Sequence, residues 1–109
     1  MSILANEMER VVEPGPEYRS GEPVRVYVRK RERRYLIHDA GRAVELAGKG
    51  NGWLAIAEAA VGELDLNVNR AGVVFVPAVE GGADRDWLVG RVAAASQAVF
   101  SDLLGAADL

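Results

Sequence analysis

Cysteine is absent from the sequence, which excludes disulfides, thiolate zinc sites, iron–sulfur clusters and cysteine nucleophiles. Histidine is represented by His38 alone, so a histidine-rich metal site would need ligands from several chains. Aromatic residues are few: Tyr18, Tyr27, Tyr35, Trp53, Phe75, Trp87 and Phe100. The core must therefore be filled mainly by Val, Leu, Ile and Ala. No apolar run approaches the roughly 20 residues that span a bilayer. The first ten residues include Asn6, Glu7 and Glu9 and lack a secretory hydrophobic region. These absences predict a cytoplasmic protein with no membrane contact, no metal and no cofactor.

What is present fits one domain: 109 residues, half apolar and about a quarter charged. The basic residues are all arginine except Lys30 and Lys49. Together with the abundance of Ala, Val and Gly, this implies a bacterial or phage genome of high GC content. The net charge is −3, but its distribution is uneven. Residues 1–23 hold five acids and two bases, and residues 39–109 hold ten acids and five bases. Between them, residues 24–38 hold six bases (Arg25, Arg29, Lys30, Arg31, Arg33, Arg34) and one acid, Glu32. The acidic whole argues against bulk nucleic-acid affinity, while the basic segment leaves room for one specific contact.

Along the chain, Leu4, Met8, Val11 and Val12 fall at helical spacing behind Ser2, predicting a helix over 2–12 that Pro14, Gly15 and Pro16 end. Residues 17–23 read as an irregular connection. Val24, Val26 and Val28 alternate with Arg25, Tyr27 and Arg29, the pattern of a half-buried strand. A charged turn and a returning strand over 34–38 complete a hairpin. Asp39 is placed to cap a short helix over 42–47. After the break at Gly48, Gly50 and Gly52, apolar residues at 54, 57, 61 and 64 predict a second helix over 53–64. A second hairpin is expected over 65–76, ended by Pro77. Asp84 caps a last helix to about Leu104, with Gly105 as its stop. The expected order is α-ββ-α-α-ββ-α. The predicted fold is thus α+β: a single domain, with residues 1–23 an N-terminal helix and connection. A mainly antiparallel sheet of two hairpins carries its helices on one face, and its other face invites dimerisation.

The arginine hairpin, Arg29, Lys30, Arg31, Arg33 and Arg34, is the one candidate binding surface. Closely spaced guanidiniums suit phosphates or acidic protein, although a charged turn also guards an edge strand from mispairing. Tyr27 and Tyr35 are a thin supply for base stacking. Tyr35, His38 and Asp39 are the only cluster of catalytic residue types. Neighbours on a strand point to opposite faces, and no serine has a nucleophile-elbow context, so no catalytic residue is assigned. Asp84 and Asp86 read as capping and dipole residues. The run Gly48-Lys-Gly-Asn-Gly52 lacks the spacing of a phosphate loop. Trp53 and Trp87 read as core anchors.

The stretch Val24-Arg-Val-Tyr-Val, its charged turn, and Tyr35-Leu-Ile-His-Asp-Ala-Gly41 together resemble an uncharacterised bacterial and phage family, domain-of-unknown-function 1828. The resemblance covers residues 24–46, and Ala40 stands where that family usually has a second Asp. It implies a module associated with mobile elements and no known activity. The element order, size and acidic balance are also similar to the type III secretion chaperone and YbjN-like folds, which are commonly dimers that bind other proteins. The expectation is a non-enzymatic protein-interaction module, homodimeric, with a small acidic dimeric chaperone as one alternative. Nucleic-acid association through the arginine hairpin is the runner-up.

Overall fold

The computed structural model describes residues 7–107. The elements are β1 (Glu7–Val12), β2 (Glu17–Arg19), β3 (Glu22–Pro23), β4 (Val26–Arg31), β5 (Arg34–His38), α1 (Arg42–Ala47), α2 (Trp53–Gly62), β6 (Asn67–Val68), β7 (Val74–Val79) and α3 (Arg85–Ala107). Five strands form one antiparallel sheet in the order β1-β4-β5-β7-β6, and β2 pairs with β3 in a separate ribbon. The α+β class and the antiparallel pairing agree with the sequence.

The valine alternation drives β4. Val26 and Val28 are buried, whereas Arg25 and Arg29 are exposed. Tyr35 and Ile37 of β5 and Val74 of β7 point the same way. Against this face α3 lays Leu88, Val89, Val92, Ala93, Val99 and Leu103, all buried. α1 and α2 pack on α3, so the helices share one side of the sheet. Asp84 caps α3 as its position implies: its Oδ1 accepts the Asp86 N–H at 2.8 Å and the Trp87 N–H at 3.4 Å.

The first element is a correction. Residues 2–6 of the expected helix lie outside the described residues, and Glu7–Val12 is a strand paired with β4, Val12 opposite Val26. Val11 and Val12 are β-branched and lose rotamer freedom in a helix, and β4 offers a complete row of edge partners. The connection over 17–23 is likewise ordered into β2 and β3, so residues 1–23 are not a helix and an irregular linker. Tyr18 on β2 explains the order. It is buried, its ring packs 5.5 Å from Phe100, and Gln97 Nε2 of α3 donates to the Glu17 carbonyl. Pro77 does not end β7 but sits within it. The partner strand β6 reaches only Val74 and Phe75, so the missing proline N–H deprives no ladder bond. α3 runs through Gly105 to Ala107. Trp87 is no core anchor: it is 55% exposed, under the Arg91 guanidinium at 4.7 Å.

Candidate functional site

Residues that alternate with the core valines form the sheet's second face, which carries no helix. Cross-strand pairing sets them in rows. One row runs Val11–Tyr27–His38–Phe75–Asn67, the next Glu9–Arg29–Leu36–Pro77, and the last Glu7–Arg31–Arg34–Val79. Val11 and Val79 are more than half exposed, and Leu36 and Phe75 are half-buried. The face is thus apolar in its middle and cationic toward the β4–β5 turn.

The structure divides the five residues of the arginine hairpin. Arg31 and Arg34 are direct partners across β4 and β5 and share the open face with Arg29. They line a cavity of about 370 Å3 together with Glu32, Tyr35 and Leu36. Arg29 is held by Glu9 at 3.2 Å. Lys30 alternates to the helix side, where it meets Glu80 at 3.6 Å. Arg33 lies in the turn, beside Glu32 at φ 56°. Arg31 faces Glu7 of β1 across the ladder, and among the described residues no carboxylate lies within ion-pair distance of Arg33 or Arg34.

His38 and Asp39 point to opposite sides, as strand geometry requires. The His38 ring stacks on Tyr27 with centroids 5.3 Å apart and planes 11° apart. Its Nδ1 accepts the Ala40 N–H at 3.0 Å, which leaves the Nε2 proton facing Glu9 at 3.4 Å. Asp39 is fully buried. Its Oδ1 accepts the N–H groups of Gly41 at 2.8 Å and Val74 at 2.9 Å, and its Oδ2 accepts the Ser96 hydroxyl at 2.6 Å. Ser96 Oγ in turn lies 2.7 Å from the Tyr18 hydroxyl. Burial pushes the Asp39 carboxyl above its ordinary value, against the pull of these donors. Burial also pushes the Tyr18 phenol up to about 12. The expected cap at Asp39 is therefore a knot joining β5, β7, α3 and β2, while Gly41 stands at the N-cap of α1 without a side-chain cap bond. Asp39, Ser96, Tyr18 and Val74 are all buried, so the knot ties these elements together inside the core.

Sequence reasoning missed the partners of Lys30 on the helix side. Arg10 of β1 and Arg85 of α3 join it around Tyr35. Among the described residues, no group of three or more His, Cys, Asp or Glu side chains could hold a metal ion. No described helix is long and apolar enough to cross a membrane. No protein-family model, curated protein or solved structure matches this chain.

Proposed function

We propose that this protein is a non-catalytic protein-interaction module that takes an acidic segment of a partner protein across its open sheet face. One observation carries the reading. Arg31 and Arg34 stand side by side, Arg34 with no ion-pair partner among the described residues, on the same exposed face as Leu36, Pro77 and Val79. Adjacent guanidiniums favour carboxylates by paired hydrogen bonds. The apolar middle of the face favours side chains over a bare phosphate backbone.

Nucleic acid fits less well. The net charge of −3 opposes a polyanion. Tyr27 and His38 already stack on each other, so neither ring is free on both sides to take a base. A second copy of the chain is the other occupant to test, since Val11 and Val79 are exposed on the same face.

The test is amide-shift mapping with a peptide of alternating Glu and Leu, alongside light scattering of the free protein. The reading expects shifts on β4, β5 and β7 that saturate with the acidic peptide and vanish in Arg31→Glu/Arg34→Glu. Equal shifts with a Lys/Leu peptide, or shifts confined to the helices, would overturn it. A dimer that Leu36→Glu dissociates would assign the face to a second copy instead.

A further inference from the structure

The helix side of the sheet holds a second group of cations, at the end nearest the β4–β5 turn. A cavity of about 280 Å3 is lined by Arg10, Val28, Lys30, Tyr35 and Arg85. Arg10 pairs with Val28, and Lys30 with Tyr35, so both cations lie on the face that α3 covers. Arg85 opens α3. Its Nη1 donates to the Tyr35 hydroxyl at 3.0 Å, and its guanidinium lies 4.6 Å from the centre of that ring. The Lys30 ammonium lies 5.6 Å from the same centre.

The polar lining consists of hydrogen-bond donors. Arg and Lys have no acceptor, and a phenol that accepts one bond keeps its own O–H to give. Tyr35 is only 7% exposed, and among the described residues its O–H has no acceptor. Among the described residues, no carboxylate lines this cavity. Glu80 pairs with Lys30 from the side. The lining itself carries three cations, Arg10, Lys30 and Arg85. The adjoining cavity shares Arg10 and Arg85 but also contains Asp84 and Asp86, which disfavour an anion there.

We infer that the Arg10–Lys30–Tyr35–Arg85 cavity binds a small phosphate-bearing ligand. A phosphate group carries a charge of about −1.5 to −2 at neutral pH and three strong acceptor oxygens. That suits the cationic lining and its phenol, whose O–H has no acceptor among the described residues. Arg85 is held against Tyr35, so its remaining N–H groups are oriented before the ligand arrives. The site is on the helix side of the sheet, shares only Tyr35 with the cavity beside Arg31 and Arg34, and does not depend on the proposed docking role.

The experiment is a titration of the full-length protein with inorganic phosphate, and in parallel with methyl phosphate, at an ionic strength held constant with sodium chloride. Amide shifts at Arg10, Lys30, Tyr35 and Arg85 should saturate. Preference for methyl phosphate identifies a phosphomonoester ligand, and preference for inorganic phosphate identifies the free ion. Arg10→Gln and Arg85→Gln should each weaken binding about tenfold, equivalent to about 1.4 kcal/mol. Tyr35→Phe should weaken it several-fold while both arginines remain. Arg10 is exposed, so Arg10→Gln stays interpretable if Tyr35→Phe fails to fold. Linear, unsaturating shifts, or binding that Arg10→Gln leaves unchanged, would overturn the assignment.

Discussion

Ser96→Ala isolates the buried knot that joins the small ribbon to the main sheet. The Ser96 hydroxyl donates to Asp39 and meets the Tyr18 hydroxyl, and all three residues are buried. Removing it leaves one Asp39 oxygen and the Tyr18 O–H without partners in a space too closed for water to replace the lost bond. Each such orphan costs about 1–3 kcal/mol, so the variant should lose about 3 kcal/mol. A domain of this size has about 5–15 kcal/mol in total. The melting temperature should fall by about 12 °C. Urea unfolding followed by circular dichroism measures the loss, with an unchanged m-value as the sign of an intact two-state transition. Asp39→Asn should cost about half as much. An asparagine oxygen still accepts from Gly41 and Val74, its amide donates to Ser96, and only the Tyr18 O–H is left over. The variant also changes the pH profile. Burial raises the Asp39 carboxyl, so the folded state holds this proton more tightly than the unfolded chain does. Its contribution is full below the ordinary aspartate value and is lost as pH rises through the folded one. Asp39→Asn should flatten the profile over that window. A Ser96→Ala loss under about 1 kcal/mol, or an Asp39→Asn loss equal to it, would refute this accounting of orphaned groups.

Three further outcomes follow from single residues. Tyr18, raised by burial from 10 to about 12, stabilises the fold below pH 10 and loses that contribution as pH rises to 12. The loss is on the order of 2 kcal/mol, and Tyr18→Phe should reduce the alkaline slope in urea midpoints measured across that range. Val26→Asp places a charge at a position with 0% exposure and should abolish cooperative unfolding; a soluble variant with unchanged circular dichroism would disprove the assignment of β4. Gly72→Ala forces an alanine to φ 91° with its Cβ 2.9 Å from Val44 Cβ, and should cost about 2 kcal/mol in the same urea assay.

Local pattern sufficed where one periodicity dominates. The valines of β4, the stripe of α3 and the Asp84 cap could be read directly, and α1 falls on the expected residues. β1 could not, because Leu4, Met8, Val11 and Val12 satisfy helical spacing while Arg10 interrupts the apolar alternation of a strand. Arg10 points to the helix side because the sheet ends there in a cavity rather than in packed core. The knot had no local signal either: Asp39 meets Ser96 and Tyr18 through contacts 57 and 78 residues apart in sequence, and Arg85 reaches Tyr35 across 50. The arginine hairpin was visible as composition. Its division into an open-face pair and an inward Lys30 depended on the register, which a one-residue slip would have reversed.

The most direct test of the proposed docking role is a charge-swap titration by calorimetry. Native protein and Arg31→Glu/Arg34→Glu are each titrated with a Glu/Leu peptide and with its Lys/Leu counterpart. If the open face recognises acidic segments, the native protein binds the Glu/Leu peptide, and the double variant loses it and gains the Lys/Leu peptide. An unchanged preference in the variant, or no binding of either peptide by the native protein, would contradict the account.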